Sequence, residues 1–385
     1  MDSVTDRDME PYGQSTLVGA LHSDQRELLD GLISHLQLRP GSVGIAAISR
    51  GRSIAQKVVI KPSGLFPLLV KLDTSDRIQT ELHGDRIIRL RVPSVSIPDP
   101  VWHETRGATG ILAYRYVTHG RLVERAQRLD VWASTVPKHQ LLRLLDRLYE
   151  SVLKKMHWQD GRTTAQEITP PGIDQPIHGS LQRSIKMAYD AHVQRTVGGS
   201  VLRCPVGIVH GDLHAKNVLV DSGGAPILID FDRVSYGQPI VLDYVKMDVF
   251  LPLSACTSLP ADPTRGPDLE YSIEVHQRVA SRLYRAGELI VPRSMRPLAS
   301  AVHEVRSVFW RGCVSRTGGM DPGDVDDVYG VFLAHALARY LIRRLDEEGN
   351  ANAEPGFHTA LLAFNSLVSD GQQFVEPIAP EPDAR

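Results

Sequence analysis

The chain has 385 residues, and its 43 lysines and arginines against 45 aspartates and glutamates give a formal net charge of -2. With 42% apolar and 23% charged residues it has the balance of a globular protein, which argues against general disorder. Near-neutral charge removes the main argument for a nucleic-acid binder, and the length exceeds the roughly 250–300 residues at which one core stops growing.

Residues 1 to 22 read as a mobile leader, acidic at the start and without a signal peptide's apolar core. A helix is expected from Ser23-Asp24, with Leu28, Leu29, Leu32, Ile33 and Leu36 on one face, ending at Arg39-Pro40-Gly41. Strands follow at 42–48, 54–60 and 67–72, with a turn at Ser49-Arg50-Gly51-Arg52-Ser53. A short helix from Thr74-Ser75 turns Ile78, Leu82 and Ile88 inward, and two more strands are expected at 101–104 and 110–117. Beyond residue 120 the pattern is mainly helical: 140–153, 180–195, and after residue 240 segments near 268–286, 297–314, 324–347 and 356–369. Short apolar runs at 206–209, 218–220 and 227–229 interrupt it, and the tail 376–385 is proline-rich and expected to be mobile.

Cys204, Cys256 and Cys313 lie far apart without a Cys-x-x-Cys pair, which fits a reducing cytoplasm better than a zinc ribbon or a disulfide framework. No apolar run approaches the roughly 18–20 residues of a membrane span, so a cytoplasmic protein without membrane or nucleic-acid partners is expected.

The chemistry concentrates in His210-Gly211-Asp212-Leu213-His214-Ala215-Lys216-Asn217, followed by Asp230 in Leu228-Ile229-Asp230-Phe231-Asp232. These polar groups sit at the ends of short apolar strands, which give rigidity and let loop residues project. Asp212 suits a base or an orienting group. Asn217 and Asp230 are hard oxygen donors of the kind that hold Mg2+, or Mn2+, with substrate phosphates.

This stretch resembles the catalytic loop of the protein-kinase-like superfamily, in the His-Gly-Asp-x-His-x-x-x-Asn form seen in aminoglycoside phosphotransferases and choline kinases. The resemblance implies an α+β, two-lobed kinase-like fold: a small antiparallel β-sheet lobe over 23–118 that binds nucleotide, and a mainly helical lobe over 119–375 with the catalytic loop and the acceptor site. It implies ATP and Mg2+ as cofactors and phosphoryl transfer to a small-molecule hydroxyl. Lys71 best matches the lysine that holds the α- and β-phosphates, with Lys61 and Lys57 as competitors. Glu81 would pair with Lys71, and Asp85 is the alternative partner. The phosphate-covering loop falls on Ser49, Gly51 and Ser53, where one glycine replaces the usual three, with Arg50 and Arg52 adding charge. Backbone groups near Tyr116 would meet the adenine. Asp243 would buttress the catalytic loop, His210 would lock its backbone, and His214 reads as a positioned loop histidine.

No long activation segment ending in Ala-Pro-Glu follows Asp230, which sets the chain apart from protein kinases. Within the small-molecule branch it resembles kinase-like domains attached to bacterial conflict and signalling systems, the ternary-complex-associated type. A nucleotide-binding regulatory module with weak turnover, or a protein kinase, are the alternatives, and a protein partner stays open. Asp321, Asp324, Asp326 and Asp327 form an acidic cluster that would suit a polycationic acceptor, although such clusters are more often solvated loops.

Overall fold

A computed structural model of the chain describes residues 10–11, 15–47, 56–63, 67–115, 117–118, 121–122, 126–158, 163–199, 201–258, 296–318, 320–348 and 361. The chain divides into two units, residues 1–128 with 217–235, and residues 129–216 with 236–385. The segment carrying Asn217 and Asp230 thus belongs with the sheet unit, whereas the sequence placed it in the helical one. The helices expected near 268–286 and 356–369, the tail 376–385, and the loop at Ser49, Gly51 and Ser53 lie outside the described residues.

The first unit contains, in chain order, β1 (Glu10–Pro11), α1 (Thr16–Ala20), α2 (Ser23–His35), β2 (Val43–Ala47), β3 (Gln56–Pro62), β4 (Leu68–Thr74), α3 (Ser75–Arg89), β5 (Asp99–Arg106) and β6 (Thr109–Arg115). The strands form one antiparallel sheet in the order β1-β2-β3-β4-β6-β5. Part of the expected leader is therefore structured. Glu10 and Pro11 pair with Ile45 and Gly44, α1 follows, and Leu21 is buried, because the sheet and α2 supply an apolar surface for it.

Strand periodicity explains the two faces of the sheet. Val58, Ile60, Leu68, Val70, Leu72, Ile111 and Ala113 point to one side and pack with Leu28, Leu29, Leu32 and Ile33 of α2. Val59, Leu69, Leu112 and Tyr114 point to the other and pack with Ile78 and Leu82 of α3. Lys57 and Lys71 share this second parity, and the register sets them directly opposite one another on β3 and β4. The inward stripe of α3 is Ile78, Glu81, Leu82, Asp85 and Ile88, so two carboxylates enter an otherwise apolar helix face.

A hairpin completes the unit. Val218 to Val220 pair with Pro226 to Leu228, and Asp221 Oδ1 closes the turn by accepting the N–H groups of Gly223 and Ala225, each at 2.8 Å. The chain then passes so close to α3 that only a glycine fits at residue 84: an added Cβ would run into the carbonyl oxygen of Phe231.

The second unit is mainly helical. It contains α4 (Leu129–Ala133), α5 (Lys138–Asp146), α6 (Lys154–His157), α7 (Ser180–Val197), α8 (Val241–Ser258), and two long helices, Arg296–Arg316 and Pro322–Glu348. The strand Leu202–Val209 pairs antiparallel with Ala165–Ile168, which the sequence did not announce. Tyr149, Trp158, Tyr244, Phe309 and Tyr329 fill the core. Within it Asp248 accepts from Arg306 at 2.6 and 3.2 Å and from the Tyr329 hydroxyl at 2.8 Å, so one buried carboxylate joins α8 to both long helices. Among the described residues no helix is long and apolar enough to cross a membrane.

Replacing Gly84 by alanine tests the approach of residue 231 to α3. Helix propensity alone would favour alanine by about 1 kcal/mol. Overpacking against a backbone carbonyl costs about 1–3 kcal/mol, and a carbonyl cannot change rotamer to escape. A lowered Tm is expected; an unchanged or raised Tm contradicts the contact.

Candidate active site

In the first unit the polar groups meet on the α3 side of the sheet. Lys71 Nζ donates to Glu81 Oε2 and, at 2.8 Å, to Asp230 Oδ1. Lys57 Nζ reaches the other oxygen of the same carboxylate, Asp230 Oδ2, at 3.1 Å. The hydroxyl of Tyr114 donates to Glu81 Oε1 at 3.0 Å, so both oxygens of this buried carboxylate are satisfied. Burial works against a charged Lys71, but Glu81 and Asp230 override it and raise its pKa above the ordinary lysine value. Burial would likewise raise the carboxyl of Asp230; Lys57 and Lys71 outweigh it and hold that group well below the usual carboxylate range.

This arrangement separates the candidates. Lys61 lies four residues along β3 from Lys57, about 13 Å at strand rise, and is opposite Gly44 on β2. Asp85 is taken by Arg89, which donates to it at 2.7 and 3.0 Å. Glu81 is therefore the partner of Lys71.

The hairpin brings Asn217 and Asp230 to one end. Val218 pairs with Leu228, Asn217 precedes the first, and Asp230 follows the second by two residues. The Ile229 N–H donates to the Asn217 carbonyl at 3.1 Å and extends the pairing past the strands. Asp230 itself has a φ of 70°, a left-handed conformation that aspartate tolerates better than most side chains.

In the second unit the strand Leu202–Val209 is followed by His210, Gly211 and Asp212. Asp243, in the first turn of α8, pins this loop. Its Oδ2 accepts the His210 N–H at 2.8 Å and its Oδ1 accepts the Gly211 N–H at 2.9 Å. His157 Nε2 lies 3.0 Å from Oδ2. Burial would push the Asp243 carboxyl up, yet the bond to His157, the charges of His157 and His210, and the His210 N–H together lower it. Gly211 has a φ of 75°, so a glycine suits the bend between the two N–H groups. The His210 ring accepts the Asp212 N–H through Nδ1 at 3.4 Å.

Lys246 and His214 lie beside the Asp212 carboxylate. Lys246 Nζ donates to its Oδ1 at 2.7 Å, and His214 Nε2 faces its Oδ2 at 3.6 Å. His214 stacks on Phe250 with ring centroids 5.3 Å apart, and burial lowers its pKa to about 4, so the ring is neutral at physiological pH.

Within the acidic cluster, burial and then the charge of Asp324 raise the pKa of the Asp327 carboxyl. Asp324 lies in the first turn of the helix Pro322–Glu348, where a carboxylate suits the helix dipole, and faces Arg203 at 3.8 Å, whereas Asp326 is buried. Tyr116 lies outside the described residues. His157 and Lys246 did not emerge from the sequence. His157 meets Asp243 across 86 positions and has no local signal. Lys246 had one, since it lies three residues after Asp243 and so shares its helix face.

Residues 45–241, just over half of the chain, match the phosphotransferase enzyme family (APH), and residues 191–308 match ternary complex associated domain 9. No curated protein sequence matches the chain. Several solved structures are similar. Spectinomycin phosphotransferase APH(9)-Ia, in complex with ADP and spectinomycin, is 13% identical with a TM-score of 0.49, over 88% of this chain and 98% of that one. Amicoumacin kinase hAmiN, in complex with AMP-PNP and Ca2+, is 15% identical with a TM-score of 0.47, over 92% and 98%. Choline kinase LicA from Streptococcus pneumoniae is 13% identical with a TM-score of 0.47, over 89% and 98%.

The two lysines on Asp230 are expected to differ in their effect on stability. Lys71→Met leaves the buried Glu81 without its ammonium, and breaking such a pair costs about 3–5 kcal/mol. The Lys57 side chain is 27% exposed, and Asp230 keeps Lys71 without it, so Lys57→Met is expected to cost under about 1 kcal/mol. Urea unfolding of both variants checks this; equal losses contradict it.

Proposed function

The chain belongs to the phosphotransferase enzyme family, and we propose that it moves the γ-phosphoryl group of ATP to a hydroxyl of a small molecule. The observation that carries the proposal is the Lys71 ammonium held between the carboxylates of Glu81 and Asp230. Such a fixed, buried cation suits phosphate recognition, because its geometry is set before any ligand arrives.

The roles follow from the chemistry of each group. Lys71 neutralises the α- and β-phosphates, and Glu81 holds it in place. Asn217 and Asp230 supply hard oxygen donors for Mg2+, and Mn2+ shares that preference. The residues fit such a cation, since the Asp230 carboxylate already faces two positive groups, Lys57 and Lys71. When bound, the ion supplies neutralisation of phosphate charge.

Asp212 takes the proton of the acceptor hydroxyl. The acceptor oxygen forms its bond to the γ-phosphorus, the bond from that phosphorus to the β-phosphate oxygen breaks, and ADP leaves. Asp243 and His210 keep Asp212 at the loop apex. The phosphate contacts of Ser49, Gly51 and Ser53, and the adenine contact near Tyr116, belong to the same proposal. Buried, free Cys204 and Cys313 suit a reducing cytoplasm.

A second reading has one observation in its favour. The match of residues 191–308 to ternary complex associated domain 9 is compatible with a nucleotide-binding regulatory module of weak or no turnover.

Transfer from γ-labelled ATP to pooled metabolites and antibiotics separates the two readings. Phosphorylated product is expected, with Asp212→Ala slower by about 10²–10⁴-fold and Mg-ATP affinity nearly unchanged. Equal rates in the variant and the natural protein contradict the role of Asp212. Mg-ATP binding without product supports the regulatory module.

A further inference from the structure

We infer that Lys246 is a positioning residue for Asp212, a role that rests on the proposed part of Asp212 in phosphoryl transfer. Its ammonium donates to the Gly211 carbonyl and, at 2.7 Å, to Asp212 Oδ1. The first bond fixes the backbone just before the carboxylate, and the second fixes the rotation of the carboxylate itself. An ammonium has three N–H donors, so one side chain serves both purposes.

The rest of the surroundings explain why this matters. Oδ1 accepts from Lys246, and the acceptor proton is assigned to Oδ2. Oδ2 faces His214 Nε2 at 3.6 Å, too long for a hydrogen bond. His214 Nδ1 accepts the Lys216 N–H at 3.2 Å, so the neutral ring carries its proton on Nε2 and keeps its orientation. His214 therefore borders Oδ2 without adding charge, and Lys246 is a cation that orients the group. A misplacement of the carboxylate by about 1 Å costs on the order of 10²-fold in rate, so loss of the Lys246 contacts is expected to slow transfer.

Helix α8 makes this economical in sequence. Asp243 in its first turn accepts two N–H groups of the loop, and Lys246, three residues later on the same face, donates to the next carbonyl and carboxylate. One helix terminus thus sets residues 210, 211 and 212 in succession, with an anion for donors and a cation for acceptors.

The test uses the full chain and Mg-ATP hydrolysis, with water as the acceptor. Lys246→Met is expected to lower kcat at least tenfold and leave KM for ATP within twofold; Lys246→Arg recovers part of the loss. Because Lys246 acts through Asp212, adding Lys246→Met to Asp212→Ala causes no further loss, whereas a merely structural role makes the two losses multiply. Where the Asp212→Ala rate is at background, the kcat-against-KM split and the arginine recovery decide. Unchanged kcat in Lys246→Met, beside a slow Asp212→Ala, overturns the inference and leaves the proposed function standing. An Asp212→Ala variant as fast as the natural protein overturns both.

Discussion

An ammonium buried between two carboxylates, Lys71 with Glu81 and Asp230, is the constraint on which the sheet unit depends. Charges removed from water pay a desolvation cost of several kcal/mol each, and a well-packed apolar replacement is often as stable or more so. Here the cluster is set on a face that is otherwise Val59, Leu69, Ile78, Leu82 and Leu112. Stability alone gives little reason to place it there. The proposed phosphate ligand would, because it needs cations whose positions are fixed beforehand. Lys57, opposite Lys71 in the register, adds a second ammonium to Asp230 without being buried to the same degree.

The helical unit solves a related problem with backbone groups. Its loop at 210–212 must leave a buried strand, bend sharply and present a carboxylate. Asp243 satisfies the two N–H groups that the bend exposes, and His157 balances that carboxylate within the core. These partners come from α6 and α8, so helices help to fix the loop together with its own His210 and Gly211.

What the sequence disclosed follows from which interactions are local. His210, Gly211, Asp212, Asn217 and Asp230 stand close together in the chain, so their pattern survives without knowledge of the fold. Strand parity was legible too: it puts Lys71 on the face that α3 covers and leaves Lys57, Lys61 and Lys71 as rivals. Register sets Lys57 beside Lys71 and carries Lys61 away from them, and register is a property of pairing, absent from any single strand. His157 could not be found because its partner lies far along the chain. Thr16–Ala20 escaped because five residues are too few to show a helical period, and Ala165–Ile168 because four residues show no clear alternation.

Calorimetric titration of ATP into the protein, with Mg2+ and again with the ion chelated, tests the central claim most directly. If the Lys71–Glu81–Asp230 cluster is a site for a metal-bound nucleotide, affinity falls at least tenfold on chelation, and Asp230→Asn removes that dependence. Equal affinity with and without the ion, or an Asp230→Asn variant that keeps the full dependence, would contradict it.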